Sequence, residues 1–268
     1  MFQRFFGWIG RMDKSFARTP PPWSPDHDTT AASAADALEK YLMLELLTPK
    51  GVHAETILTM VGALAGFAAQ HAIWETLVKA GTLPEHGVGD AFDEGAFVLI
   101  ETKSGEKFYF GDLLNSYLVP TPGKLAAYGP GAHTLWAFLV AGVEQCGRRP
   151  LAREAVTEIF VHSASVMGTS LFGSPRLPPG NRPSITPRAA LCRAWPKTHE
   201  LLECEQLPVA YWPTLIALVA QTLLVGTKDV VDPALAMRII FEAAIPMSKV
   251  DPTTVSRIYD DTSATFLR

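Results

Sequence analysis

The sequence predicts a mainly α-helical protein, a single-domain multi-helix bundle around a central buried helix with one small β-hairpin. Apolar residues recur at helical spacing over most of the chain, whereas one short stretch has β-branched and aromatic residues on either side of a turn. The alternation of strands and helices that a parallel sheet requires is missing. With 268 residues, of which 48% are hydrophobic, the chain is long enough to bury a large core.

The N-terminal residues differ from the rest, so we expect an arm with a linker over 1–32 and a helical domain over 33–268. Residues 1–18 place aromatic and aliphatic side chains on one helical face and four basic side chains on the other, which predicts a short amphipathic helix. Residues 19–32 carry four prolines, which predicts an extended linker. The arm is expected to bind either the protein itself, in its own or a partner subunit, or a membrane surface.

The first part of the helical domain contains the central helix and the hairpin. Ser33, with an acidic residue three positions later, predicts an N-cap and a helix over 33–47. The pattern over about 52–80 is apolar nearly all round, which predicts the central buried helix. The stretch of about 96–110 predicts a β-hairpin. Because two isolated strands are marginal in water, we expect the hairpin to lie on helices, gain a strand or pair with a partner chain.

The remaining chain predicts further helices separated by proline-rich connections. The predicted elements are a short helix after Asp112, helices over 132–145, 150–171, 207–226, 233–245 and 252–266, and an irregular segment over 173–190. Asp-Pro pairs begin the last two helices, because aspartate caps a free amide and proline suits the first helical position. The two most apolar windows, 57–69 and 209–225, are shorter than the roughly 20 residues of a membrane span and predict buried core helices.

The charge and cysteine content exclude several classes of protein. The chain has 27 acidic and 23 basic residues and a formal net charge of −4, so it lacks the cationic field that general nucleic-acid binding requires. Its three cysteines are widely spaced and form no C-x-x-C pair, which predicts neither a disulfide framework nor a cysteine metal site. No nucleotide-binding motif is present, and we expect no cofactor, no metal and a cytoplasmic location.

One face of the central helix is small or polar while the rest is bulky. This stripe consists of Glu55, Thr59, Gly62, Gly66 and Gln70. Glycine inside a helix costs about 1 kcal/mol relative to alanine, so two glycines indicate that something lies close to the backbone. The two interpretations are a close crossing with another helix and the floor of an elongated ligand groove with Glu55 and Gln70 at its ends.

Four polar residues on three predicted helices are the candidates for a pocket. His71 and Glu75 lie four residues apart and face the same way, His133 precedes a helix in a glycine-containing turn, and His162 lies in a segment rich in hydroxyl groups. They would meet only if the three helices packed side by side. No signature of a metalloprotease, serine hydrolase or zinc deaminase is present, so the catalytic residues are unknown and the enzyme class stays open.

The irregular segment contains a candidate anion-binding set, because arginine side chains bind carboxylates and phosphates through paired hydrogen bonds. The set consists of Arg176, Arg182 and Arg188. The alternative is a solvated loop, or one that wraps around a neighbouring subunit. Trp195, Tyr211 and Trp212 follow, and aromatic residues near arginine are enriched at protein interfaces.

The sequence therefore predicts a non-catalytic cytosolic binding or scaffolding protein that forms a homo-oligomer. Self-association is expected through the N-terminal arm, the proline- and arginine-rich segment or the hairpin edge. One alternative is a small-molecule-binding protein or hydrolase-like enzyme with a His/Glu pocket between helices. The other is a peripheral membrane protein anchored by residues 1–18.

Overall fold

The fold was obtained as a computed structural model, which describes residues 27–79, 81, 85–86, 97–103, 105–120 and 133–255. It confirms the predicted class, a helical bundle around a central buried helix with a small hairpin. The helices are α1 (Asp28–Glu45), α2 (Ala54–Ile73), α3 (Asp112–Leu118), α4 (Leu135–Gln145), α5 (Arg153–Ser165), α6 (Pro187–Cys204), α7 (Trp212–Gly226) and α8 (Pro233–Met247). A π-helical turn (Trp74–Val78) extends α2, and a 3-10 turn (Val209–Tyr211) precedes α7.

The central helix α2 is enclosed by its neighbours, and α8 crosses it most closely. Every residue of α2 except His71 is buried. A Cβ atom added to Gly62 would lie 2.5 Å from the carbonyl oxygen of Ile240, and one added to Gly66 would lie 2.7 Å from the carbonyl carbon of Ala244. The glycine stripe is thus a close helix crossing, in which the backbone of α8 occupies the space that side chains would need.

Two helices are long and apolar enough to cross a membrane by length and composition. They span Ala54–Val78 and Val209–Gly226, and 94% and 67% of their apolar windows are buried inside the protein. Within the described residues, α2 and α7 also pack against each other, and Trp212 at the start of α7 is fully buried. In this fold most of each apolar window packs inside the bundle.

The hairpin gains pairing partners from its own chain on both sides. Strand β2 (Phe97–Glu101) pairs antiparallel with β3 (Lys107–Phe110), with Ile100 opposite Phe108. On one side β2 pairs in parallel with the two-residue strand β1 (Glu85–His86). On the other side Phe108 of β3 forms an antiparallel bridge with Val250, just after α8, and Tyr109 donates its backbone N–H to Lys249 at 2.9 Å.

Some element boundaries differ from the predicted ones. Helix α1 begins at Asp28, so Ser33 lies within it and is not its cap. Helix α5 ends at Ser165, six residues before the predicted end, and a series of turns follows. The irregular segment ends at Thr186, whose side chain caps α6 by accepting from the N–H of Ala189. No helix was predicted over any part of α6.

Other boundaries follow the prediction. Asp232 caps α8 by accepting hydrogen bonds from the N–H groups of Ala234 and Leu235. The last predicted helix, 252–266, begins at the predicted residue, but only 252–255 are described. Residues 1–26, including the predicted arm at 1–18, lie outside the described residues.

The α2–α8 crossing predicts a large loss of stability for Gly66→Ala. The added Cβ would meet backbone atoms, which cannot rotate away, so we expect a free energy of unfolding lower by about 3 kcal/mol or more, measured by urea denaturation. The matched control is Gly142→Ala in α4, whose added Cβ would meet the flexible side chain of Gln221 at 3.1 Å. Equal effects of the two substitutions would contradict the crossing.

Candidate functional site

The four residues of the predicted pocket lie in different surroundings. His71 packs among aromatic rings of α6 and α7, and Glu75 forms an ion pair with Lys79 at 2.7 Å. The backbone oxygen of His133 accepts from the hydroxyl of Thr214 at 3.4 Å. His162 lines a pocket between α5 and α8. The contacts of His71 and those of His162 share no residue, so the two histidines do not meet in one pocket.

His71 belongs to an aromatic cluster with Trp195, His199 and Trp212. Its ring stacks on Trp212 at a centroid distance of 5.3 Å and meets the edges of Trp195 and His199, each also at 5.3 Å. Burial and, to a lesser extent, the nearby His199 together lower the pKa of His71 to about 4, against the opposing effect of Glu75. The neutral imidazole is therefore a packing element of the α2–α6–α7 junction.

The polar ends of the α2 stripe are both used to hold other segments. Glu55 accepts a hydrogen bond from the side-chain amide of Asn181 at 3.2 Å, in the irregular segment. Gln70 donates to the backbone oxygen of Val250 at 2.9 Å and so holds the chain that follows α8. Since α8 covers the glycines between them, these residues mark the two ends of a helix contact.

The arginines of the predicted anion-binding set are spread along the segment. Arg176 lies 3.9 Å from Glu242 and also donates to the backbone oxygen of Glu158. Arg188 forms an ion pair with Glu106 at 3.2 Å, which joins α6 to the hairpin. Arg182 is exposed. Two of the three guanidinium groups thus already face carboxylates of the same chain.

A network at the start of α2 holds the irregular segment and was not predicted from the sequence. The hydroxyl of Thr56 accepts from the backbone N–H of Ser184 and contacts the Ser184 hydroxyl, both at 2.9 Å. It also contacts Nδ1 of His53 at 2.7 Å, while Nε2 of His53 lies 3.3 Å from Glu55. Thr56 is buried whereas His53 and Ser184 are exposed, so the network fixes the loop against the helix end.

A small surface depression lies between α5, the turns after it and α8. Its polar lining includes His162, Ser163 and Glu242. Glu242 is 3% exposed, and its carboxylate lies 3.6 Å from Arg238 and accepts from the backbone N–H of Arg176 at 3.2 Å. The hydroxyl of Ser163 and the Oε1 atom of Glu242 are buried without a hydrogen-bond partner.

Lys249 is the other unusual charged residue. It is 2% exposed, and its ammonium group donates to the side-chain oxygen of Asn115 at 3.0 Å and lies 5.0 Å from the ring centre of Phe110. Burial lowers the pKa of Lys249 to about 8. The hydroxyl of Ser116, next to Asn115 in the chain, is buried and lacks a hydrogen-bond partner.

The sequence contained a signal for the pocket between α5 and α8. Arg238 and Glu242 lie four residues apart within an otherwise apolar helix, and charged residues are rarely buried unless they are paired. Within the described residues, no group of three or more His, Cys, Asp or Glu side chains could hold a metal ion. Comparisons with protein-family models, curated proteins and solved structures found no match to this chain.

The lowered pKa of His71 predicts acid-sensitive stability. The unfolded chain takes up a proton near pH 6.5 and the folded protein only near pH 4, so stability falls as the pH is lowered through this window, by up to about 3 kcal/mol. His71→Phe keeps an aromatic ring and removes the titration. We expect its urea midpoint to fall less than that of the wild type between pH 7 and pH 4.5. Equal shifts would refute the assignment.

The lowered pKa of Lys249 predicts a stability that changes at alkaline pH. Between pH 8 and pH 10.5 the unfolded chain binds the proton that the folded protein releases, so this group adds stability as the pH rises, by up to about 3 kcal/mol. Lys249→Met lacks this gain. The stability of the wild type relative to Lys249→Met should therefore rise between pH 7.5 and pH 10, as measured by urea denaturation. A constant difference would show that the ammonium group is solvated.

Proposed function

We propose that this protein is a non-catalytic cytoplasmic binding or scaffolding protein that associates with itself through residues 1–18. The observation that carries the proposal is that the polar residues expected to form a pocket serve separate contacts within the bundle. His71 packs among aromatic rings, and Glu55 and Gln70 hold neighbouring segments. This arrangement favours a role in binding over the hydrolase-like alternative.

Two of the three segments considered for self-association are engaged within the chain. The hairpin pairs with β1 on one side and with Val250 on the other. The proline- and arginine-rich segment is attached to α2 through Asn181 and Ser184 and to α8 through Arg176. These contacts leave residues 1–18 as the preferred association element.

The charge of the arm is complementary to that of the rest of a second copy of the chain. Residues 1–18 carry four basic and one acidic side chain, so the rest of the chain carries a formal charge of −7 within the total of −4. The acidic remainder of the chain attracts a basic arm from another copy. The same acidic remainder is repelled by an anionic lipid surface. The apolar face predicted for the arm adds the burial that stabilises such a contact.

The C-terminal end of α1 offers a surface of matching character. Leu44 and Leu47 are 71% and 45% exposed, and Glu45 between them in the sequence pairs with Arg193 at 2.5 Å. The two exposed apolar side chains fit the apolar face predicted for the arm. We assign this pair as the receiving surface for the arm of a second copy.

Sedimentation velocity tests the proposal on the full chain and on a version that begins at residue 19. We expect the full chain to sediment as a dimer or larger species and the shortened chain as a monomer. Phe6→Asp, on the predicted apolar face of the arm, should act like the truncation, whereas Gln3→Asp, on the predicted polar face, should not. A monomeric full chain, or a shortened chain that still associates, would contradict the proposal.

Two further measurements locate the surface and separate the membrane alternative. Leu44→Ser combined with Leu47→Ser should weaken association, whereas Val230→Ser, at a residue 78% exposed, should leave it unchanged. Co-sedimentation with vesicles of phosphatidylcholine and phosphatidylserine should recover little protein. Recovery of most of the full chain with the vesicles, lost on removal of residues 1–18, would instead support the membrane anchor.

A further inference from the structure

A chain of polar groups at the start of α2 links a buried carboxylate to an exposed hydroxyl. Nε2 of His53 lies 3.3 Å from Glu55, and Nδ1 of the same ring lies 2.7 Å from the hydroxyl of Thr56. The Thr56 hydroxyl in turn lies 2.9 Å from the hydroxyl of Ser184. Carboxylate, imidazole and hydroxyl in this order are the groups that activate a nucleophilic serine, and here one further hydroxyl stands between the ring and the serine.

The hydrogen-bond donors and acceptors give this chain of groups one direction. The carboxylate of Glu55 only accepts hydrogen bonds, so Nε2 of the neutral His53 ring carries the proton and Nδ1 is the acceptor. The hydroxyl of Thr56 therefore donates to Nδ1. The Thr56 oxygen accepts from the backbone N–H of Ser184 at 2.9 Å, and its second lone pair accepts from the Ser184 hydroxyl. A proton that leaves Ser184 thus has a continuous route to the imidazole ring.

The inner part of this network is held in place, and its outer end is open to solvent. Glu55 and Thr56 are 8% and 1% exposed, whereas His53 and Ser184 are exposed. The side-chain amide of Asn181 donates to the other oxygen of Glu55 at 3.2 Å, so both carboxylate oxygens have a partner. The base is therefore oriented by buried groups, while a reactant can reach the Ser184 hydroxyl.

We propose that Ser184 is an acyl-acceptor site, at which Oγ attacks the carbonyl carbon of an activated acyl ester. A bond forms between Oγ and the acyl carbon, and the bond from that carbon to the leaving oxygen or sulfur breaks. The hydroxyl proton passes to Thr56 while Thr56 gives its own proton to Nδ1 of His53. The Glu55 carboxylate stabilises the imidazolium, which then releases the proton to the leaving group or to water.

The position of Ser184 limits the class of acyl donor. Residues 182, 184 and 186 are all exposed, so the donor approaches from solvent and is not enclosed. A donor that is not enclosed gains little from orientation by the protein, so its own leaving group must be good. Aryl esters and thioesters meet this condition, whereas alkyl esters and peptide bonds do not. The product is an O-acylserine, so the step modifies the chain and goes beyond self-association through residues 1–18.

Acetylation of the full chain by p-nitrophenyl acetate tests the proposal. Peptide mapping by mass spectrometry gives the rate at each serine. Ser165 is the internal control, because it is exposed and its hydroxyl donates to the backbone oxygen of His162. We expect Ser184 to be acetylated at least about tenfold faster than Ser165, since a positioned general base accelerates the attack. Equal rates at the two serines would overturn the proposal.

A thioester probe, N,S-diacetylcysteamine, separates the two kinds of donor. Preferential acetylation of Ser184 by both probes assigns the site to activated acyl donors in general. Preference with the aryl ester alone limits the donors to oxygen esters.

Two variants at Thr56 separate the proton relay from the fold. Thr56→Ser keeps a hydroxyl between His53 and Ser184 and should keep the preference for Ser184 over Ser165. Thr56→Val keeps the shape of the side chain and removes the hydroxyl, so Ser184 should react at the rate of Ser165. A folded Thr56→Val variant that retains the preference would contradict the relay.

A variant at His53 tests the base at an exposed position. His53 is the N-cap residue of α2 and its side chain does not cap the helix, so His53→Gly should fold, because glycine is well tolerated at an N-cap. This variant should lose the preference for Ser184, and added imidazole should restore part of it. Failure of imidazole to raise the Ser184 rate above the Ser165 rate would show that His53 has only a structural role and would refute the proposal.

Discussion

The contact on which the rest of the structure depends is the crossing of α2 and α8 at Gly62 and Gly66. The two glycines let the backbones approach so closely that added Cβ atoms would meet the carbonyl groups of α8. This approach fixes the position of α8, which carries Glu242 and Pro246 to the surface pocket. The chain that leaves α8 then reaches β3, where Lys249 and Val250 complete the pairing of the hairpin. One steric condition in α2 therefore sets the geometry of both the sheet and the pocket.

Three buried polar residues of α2 hold segments that have no regular structure of their own. Glu55 and Thr56 hold the loop before α6 through Asn181 and Ser184, and Gln70 holds the chain after α8. A long irregular segment is uncommon in a compact domain unless it is held by such contacts or has a function. The pocket between α5 and α8 differs, because the Ser163 hydroxyl and Oε1 of Glu242 are buried there without a hydrogen-bond partner.

Much of the fold could be predicted from the sequence because its signals are local. The apolar pattern of α2, the turn between two β-rich runs and the Asp-Pro start of α8 each specify a structure over a few residues. Helix α6 was missed although Thr186-Pro187 is the same kind of start signal. Pro196 lies inside this helix, where proline is disfavoured. The candidate site was less predictable, because His71 meets Trp195 and Trp212 only through tertiary packing. Glu242 and Arg238 are four residues apart in one helix, but their partner Arg176 comes from a distant segment.

The pairing of Tyr109 with Lys249 has a consequence for how the protein is made. The two residues lie about 140 positions apart, and ribosomes add roughly 5–20 residues each second. The strand edge at Phe108 and Tyr109 therefore waits for roughly 7 to 28 s for its native partner during synthesis. Over that interval the nascent chain presents an open strand edge and a helix whose glycine face is bare, and both can pair with other chains. Exposed strand edges and apolar helix faces of this kind favour aggregation of the unfinished chain.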